Sequence, residues 1–395
     1  MRPRPHFNVN SMIKLDNSIG KNFCYAPWTN IHINPQGSYK TCCAGEVALA
    51  DLRITPIQDV IKSSQILHIK QAIIENKTHT NCSICERQEQ MTSTSERNWY
   101  DDISERKTIN LDTIQDQHLQ NLDIRWSNTC NLSCTYCGPE ASSIWASHRK
   151  IPLERLDYSN TMPGIIAFIE SNRSTLKNLG LLGGEPLLQK ENDQLLDAIG
   201  PDVHINLITN LSVPLENNQI FKKLLDKNRV VWDISFDTVE QKFEYVRHGA
   251  SWDLLLKNIR HLQDAVKDRP GHSIGVASVY SVYNALNLSQ VHEYFADNKL
   301  PNMRWNELNN PVVLSVINLP KQFRDQAVQE LEKSIPYHKW HRQKIFLQEM
   351  ANSIKNITAN KNNCDDLYNW HFEQEQTYWP GFKYKFADLW PEYRA

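Results

Sequence analysis

Leu122-Asp-Ile-Arg-Trp126 is a short apolar run, and after Ser127-Asn128-Thr129 it leads into Cys130-Asn-Leu-Ser-Cys134-Thr-Tyr-Cys137-Gly138-Pro139. Five more runs of strand character follow at wide intervals: 176–182, 204–209, 230–236, 273–282 and 303–307. Between them fall segments of helical period at about 139–149, 163–172, 189–199, 215–227, 251–266 and 287–298. Six strand–helix repeats predict a parallel sheet or a partial barrel. Ligands of such sheets bind at the carboxyl ends of the strands. The three cysteines therefore stand where chemistry is to be sought.

Three thiols in one short loop suit an iron–sulfur cluster, whose irons take cysteine thiolates; with three supplied, one iron stays open to an outside ligand. A structural zinc ion is the alternative, and it would have to recruit a fourth ligand such as His148. Spacing leaves both open. The second strand decides between them, because it ends in Gly183-Gly184-Glu185-Pro186. Paired glycines let a ligand approach the backbone, and a neighbouring carboxylate can accept a hydrogen bond from an ammonium group.

On these residues the chain resembles the radical S-adenosylmethionine (AdoMet) enzymes. Their Cys-x3-Cys-x2-Cys hallmark, with an aromatic residue before the last cysteine, is matched by Cys130, Cys134, Tyr136 and Cys137. The resemblance implies that the three cysteines hold a [4Fe-4S] cluster whose fourth iron chelates AdoMet. It implies that Gly183, Gly184 and Glu185 contact the methionyl amine. Ser235 and Asp237, in Asp233-Ile-Ser-Phe-Asp237, resemble the ribose-contacting strand end, and Arg247 in Tyr245-Val-Arg-His-Gly could reach the AdoMet carboxylate. Thr209-Asn210 and Val279 through Asn284 fit less specifically. The implied chemistry is reductive cleavage of AdoMet to a 5′-deoxyadenosyl radical that abstracts a substrate hydrogen atom. No catalytic residue is assigned beyond the cluster ligands.

The remaining cysteines are Cys24, Cys42, Cys43, Cys82, Cys85 and Cys364. Asn34-Pro35-Gln36-Gly37, between 31–33 and 38–41, predicts a hairpin that brings Cys24 and Cys42 alongside each other. Cys42 and Cys43 point to opposite sides of an extended chain, so only one serves a given centre. The pattern Cys24-x12-Gly37-x4-Cys42, then Cys82-x2-Cys85, resembles the SPASM module or its shorter form, twitch, which binds auxiliary [4Fe-4S] clusters in many radical AdoMet enzymes. The order departs from the well-known members, in which the module follows the barrel. Pro27-Trp28, Cys42-Cys43 and Ser95-x-Arg97 resemble a subgroup with this N-terminal order. Cys24, Cys42, Cys82 and Cys85 are the implied ligands of one auxiliary [4Fe-4S] cluster, with structural zinc as the alternative. Full cysteine ligation would make its role electron transfer. Cys43 and Cys364 are read as thiols without a metal.

The expected architecture is α/β: a partial (β/α)6 TIM-type barrel over 118–311. A polar arm (1–20) and a small cysteine-rich module (21–117) precede it. A helical, aromatic-rich extension (312–395) follows, its aromatics packing over the open edge of the barrel. The fourteen histidines show no H-x3-H or HExxH pattern and are expected at the surface or at caps.

With 395 residues, two or three domains are expected at about 150 residues each. Forty-three basic against forty-five acidic residues leave no global cationic field, which makes nucleic acid an unlikely partner. No run of about 18 apolar residues and no secretory segment is present, so the expected setting is cytoplasmic, without a membrane. Nine cysteines without an export signal suggest metal or redox chemistry. The expected partners are a small-molecule or peptide substrate and an electron donor such as flavodoxin or ferredoxin. Because the cysteine module begins by residue 24, no leader-binding domain is expected. That tilts the expectation towards a small molecule or a peptide delivered by another protein. Radical chemistry on RNA or DNA and a non-catalytic zinc-binding interaction module are the alternatives.

Overall fold

The structure is a computed structural model describing residues 20–92, 95–103, 117–151, 157–300, 303–308, 310–338, 341–358, 361 and 363–394. The expected polar arm lies outside the described residues, apart from Gly20. Strands β1 (Asn30–Ile33), β2 (Ser38–Lys40) and β3 (Ala50–Asp51) precede β4 (Asn121–Ile124), β5 (Asn178–Leu181) and β6 (His204–Thr209). Then come β7 (Val230–Ser235), β8 (His272–Tyr280) and β9 (Met303–Glu307). Helices Ser143–His148, Met162–Ser171, Glu191–Ala198, Gln219–Leu225, Trp252–Val266 and Leu288–Asp297 fall where the 3.6-residue period placed them. Glu240–Val246 is an additional helix, too short to show a period of its own.

The sheet order is β3-β2-β1-β4-β5-β6-β7-β8-β9, with β4 through β9 parallel and in chain order. One face is apolar: Leu122, Ile124, Leu179, Leu181, Ile205, Leu207, Trp232 and Ile234 are buried in the hydrophobic core. The alternate positions are polar, with Asp123, Asn206, Asp233, Ser235 and Arg304 among them. On that face His32 Nδ1 lies 3.0 Å from Asp123, and Arg304 Nη2 lies 2.9 Å from Asp233. Period-2 alternation therefore yields a partial barrel with a greasy outside and a polar inside.

The hairpin forms as its sequence dictates. Asn34 Oδ1 accepts from the backbone N–H of Gln36 (3.0 Å) and Ser38 (2.9 Å), and Gly37 takes φ +77°, a conformation that favours glycine. It does not stand apart from the barrel, however. β1 pairs in parallel with β4, Asn30 opposite Asn121 through Ile33 opposite Ile124. All four β1 residues are buried, as befits a strand covered on both sides. Between the hairpin and the Cys82–Cys85 segment the chain forms two helices, Ile57–Val60 and Ser64–Ile74. Ser63 leaves the helical conformation to cap the second, its Oγ accepting from Ile66 N–H at 3.4 Å.

The C-terminal region is helical at Lys321–Ser334, His341–Lys355 and Asp365–Thr377. Its aromatics pack, but on loops at the strand ends instead of along the barrel edge. Trp390 Nε1 donates to Tyr283 C=O (3.0 Å), Tyr393 OH to Val282 C=O (2.6 Å), and Trp379 stacks on His248. At the edge strand β9, Gln343 Oε1 accepts from Trp305 N–H at 2.9 Å. Not all histidines are superficial: His32 is buried beside Asp123, and His292, His338 and His371 are buried against other rings, where desolvation pushes their pKa down.

Candidate metal centres

The loop after β4 is held at both ends by the chain itself. Cys130 N–H donates to Ser143 Oγ (3.1 Å), which donates back to Cys130 C=O (3.0 Å). Ser133 and Thr135 N–H donate to the carbonyls of His248 (2.9 Å) and Val246 (2.8 Å), and Trp145 Nε1 donates to Cys134 C=O (2.8 Å). Asn210 Nδ2 approaches Cys130 Sγ at 3.8 Å, and an Arg247 terminal nitrogen approaches Cys134 Sγ at 4.0 Å. A hydrogen bond from Cys137 holds Cys134 below the ordinary thiol range, with Arg247 adding to it; that bond and burial push Cys137 far up. Burial pushes Cys130 to about 12.

Gly183 and Gly184 pass close beneath this loop. Gly183 has φ +106°, and a Cβ on Gly184 would meet Thr129 O at 2.1 Å, so only glycine fits there. Glu185 turns inward and is fully buried. It accepts from Leu187 N–H (3.1 Å), Thr209 Oγ1–H (2.7 Å) and Asn210 N–H (2.7 Å), while burial raises its pKa to about 7. Ser235 ends β7, half-buried. Asp237 is 1% exposed: Oδ2 accepts from Tyr136 OH (2.7 Å) and lies 3.1 Å from Arg247, and Oδ1 accepts from Val279 N–H (2.7 Å). Arg247 stacks over the Tyr136 ring, its Nε without a hydrogen-bond partner. Tyr136, Asp237 and Arg247 thus form one buried cluster against the cysteine loop. The sequence pointed to each of them separately, without showing that they bond to one another.

The second group is assembled from distant segments. Cys24, Cys42, Cys82 and Cys85 line one small cavity of about 20 Å³, together with Pro27, Thr41, Asn81, Glu96, Arg97 and Tyr100. Cys43 is not among its walls; it faces Glu96, Asp123 and Arg125, and it sits not on extended chain but in a turn closed by Gly45 N–H donating to Cys42 C=O (3.1 Å). Burial raises Cys24 well above the usual thiol value, Cys42 to about 12 and Cys82 to about 11. Such thiols ionise only when a cation replaces the proton. Glu96, Arg97 and Tyr100, on the helix Glu96–Ile103, were not legible as cavity walls, although Ser95-x-Arg97 marked the segment. Cys364 is buried in the C-terminal region, away from both groups.

All nine cysteines are free thiols. Among the described residues no three or more His, Cys, Asp or Glu side chains are placed to hold a metal ion. Zinc gathers four ligands at one atom, whereas in a polynuclear iron–sulfur group each thiolate binds a different iron. The donor chemistry of the four cysteines and the cradle at Gly184 fit such groups. Within the described residues, no helix is long and apolar enough to cross a membrane.

Residues 124–294 match the Radical SAM superfamily, and residues 24–87 match an iron–sulfur cluster-binding domain, SPASM. The chain is 26% identical over 257 residues to GTP 3′,8-cyclase of Nautilia profundicola, covering 64% of this chain and 69% of that one. It is 29% identical over 144 residues to the GTP 3′,8-cyclase of Peptoclostridium acidaminophilum, covering 36% and 42%. It thus spans less than half of the latter's length. Among solved structures, anSMEcpe with bound AdoMet shares 16% identity at TM-score 0.40, covering 54% of this chain and 58% of that chain. Streptococcus suis SuiB shares 14% at 0.42, covering 70% and 63%. The chain thus carries a radical SAM domain at residues 124–294 and, ahead of it, a SPASM iron–sulfur domain at residues 24–87.

Proposed function

We propose that this chain is a radical AdoMet enzyme acting on a small molecule or peptide, with Cys130, Cys134 and Cys137 as ligands of the AdoMet-binding [4Fe-4S] cluster. When bound, that cluster and AdoMet supply a 5′-deoxyadenosyl radical able to abstract a hydrogen atom from carbon. Cys24, Cys42, Cys82 and Cys85 hold an auxiliary [4Fe-4S] cluster within the module of residues 21–117, next to the core at 118–311. Full cysteine ligation leaves it an electron-transfer role. The observation that carries this is the convergence of four cysteines, from three separate segments, on one buried cavity beside the barrel.

The chain's own work is positioning. Gly183 and Gly184 bring bare backbone beneath the cysteine loop, where a methionyl amine can reach carbonyl oxygens. Glu185 braces Thr209 and Asn210, fixing the ends of β5 and β6 relative to each other. Ser235 and Asp237 border the ribose side, and Arg247 keeps Nε available for a carboxylate. The hydrogen bond from Tyr136 to Asp237 keeps Arg247's counter-ion in place. The relatives named GTP 3′,8-cyclase support the small-molecule half of the proposal. Flavodoxin or ferredoxin would serve as electron donor.

The test is anaerobic purification with iron and sulfide counting, then dithionite and AdoMet. About eight irons per chain and formation of 5′-deoxyadenosine are expected. Zinc without cleavage overturns the proposal, and about four irons with cleavage removes the auxiliary cluster alone. Deuterium transfer from candidate substrates into 5′-deoxyadenosine then identifies the substrate.

A further inference from the structure

Arg97 is 4% exposed and stands on the wall of the four-cysteine cavity. Two arms of its guanidinium are spoken for: Nε donates to Glu89 Oε1 at 2.9 Å, and Nη1 donates to the carbonyl of Asn22. Glu89 is itself held by Ser95 Oγ–H at 2.6 Å, and Ser95 Oγ accepts from Arg97 N–H at 3.2 Å. The third arm, Nη2, is buried and has no hydrogen-bond partner. A buried guanidinium N–H left without an acceptor is unusual and costly. The neighbouring polar walls are committed elsewhere: Asn81 donates to Thr41 Oγ1 (3.0 Å) and accepts from Val47 N–H (3.1 Å). The groups whose charge Arg97 senses, after Glu89, are the sulfurs of Cys24, Cys82 and Cys85.

We propose that Arg97 is a positioning and tuning residue of the four-cysteine centre: its Nη2 donates to sulfur of the bound iron–sulfur group, and its fixed charge raises that group's reduction potential. The inference rests on the assignment of the cavity to such a group. Reduction adds negative charge to a cluster, so a buried cation and an N–H···S bond favour the reduced state. Arginine suits the task because its rigid fork anchors two arms in protein and points the third inward. A centre tuned this way accepts an electron more readily than one enclosed by apolar walls alone.

The experiment uses the full chain carrying Cys130→Ala, Cys134→Ala and Cys137→Ala, so that the remaining iron reports only the four-cysteine site. EPR-monitored redox titration of this protein is compared with the same protein bearing Arg97→Gln or Arg97→Lys. With glutamine, the reduced-to-oxidised ratio at fixed potential should fall about tenfold, a midpoint lower by about 59 mV for one electron. Lysine, which keeps the charge but loses the fork, should fall between the two. Equal midpoints in all three overturn the proposal. Should the glutamine variant fail to fold, pulsed EPR of the Arg97 protein labelled with 15N-arginine decides instead: a weak nitrogen coupling to the reduced cluster is expected, and its absence overturns the contact. Absence of iron and sulfide from the Cys→Ala background overturns the cavity assignment and Arg97's role together. Iron present with an unmoved midpoint overturns the latter alone.

Discussion

Cys130, Cys134 and Cys137 come from one eight-residue loop, whereas Cys24, Cys42, Cys82 and Cys85 arrive from three segments spread over 62 positions. The loop is pinned by backbone bonds to 246–248 and by Ser143, whether or not anything is bound. The cavity's cysteines are brought together by the hairpin, the Thr80–Cys82 turn and the helix Ser83–Thr92. At the loop Arg247 is neutralised by a buried Asp237; at the cavity Arg97 is paired with a Glu89 that reaches solvent. One site is preorganised by protein. The other depends more heavily on its contents, because a bound cluster closes the loops between ligands.

The largest effects should separate the two by activity. Replacing Cys130, Cys134 and Cys137 with alanine should abolish AdoMet cleavage and remove about half the iron. Cys24→Ala should remove the other half, spare uncoupled cleavage and stop substrate turnover. Paired iron counts and 5′-deoxyadenosine assays check this; loss of both clusters from either change would mean that the sites are not independent.

Removing the clusters by chelation should sharpen the contrast. Residues 22–100 are expected to lose amide protection, whereas the loop at 130–137 keeps most of it through the bonds from Ser133 and Thr135. Hydrogen exchange with mass spectrometry reads this directly. Equal loss in both regions would mean that the loop also owes its shape to what it binds.

Much of this was legible because the signals are local. β6 and β9 coincide with their expected spans, since alternation in His204–Thr209 and flanking turns bound them sharply. The Cys-x3-Cys-x2-Cys loop and Gly183-Gly184 carry their chemistry in adjacent residues. What stayed hidden is long-range: β1 joining β4 across about 90 residues, the Tyr136–Asp237–Arg247 cluster, and Arg97 turning towards Cys24. No periodicity reports which apolar strand covers a barrel's open edge. Equally, His292 and His338 read as surface residues until helix packing buries them.

The two arginine–carboxylate pairs allow a smaller comparison. Asp237→Asn leaves the Arg247 charge buried without a full counter-ion, and truncating one partner of such a pair costs about 3–5 kcal/mol. Glu89→Gln removes a partner that is 27% exposed on its side chain, where water takes over much of the solvation, and should cost about 1 kcal/mol. Thermal unfolding of both variants in the cluster-free state checks the ranking. Equal shifts would mean that Glu89 is as enclosed as Asp237.

The smallest effect concerns two neighbours. Cys42 faces the cavity; Cys43 faces Glu96, and its thiol is pushed well up by burial and by the charge of Glu96. Cys43→Ala deletes a weak thiol hydrogen bond to a carboxylate that is itself largely buried, so the cost should stay near 1 kcal/mol. Iron and sulfide should be unchanged, in contrast to Cys42→Ala, which should lose the auxiliary iron. A fall in iron for Cys43→Ala would make Cys43 a ligand. The cavity would then have to open past Glu96, which lines it and also faces Cys43, towards Asp123 and Arg125.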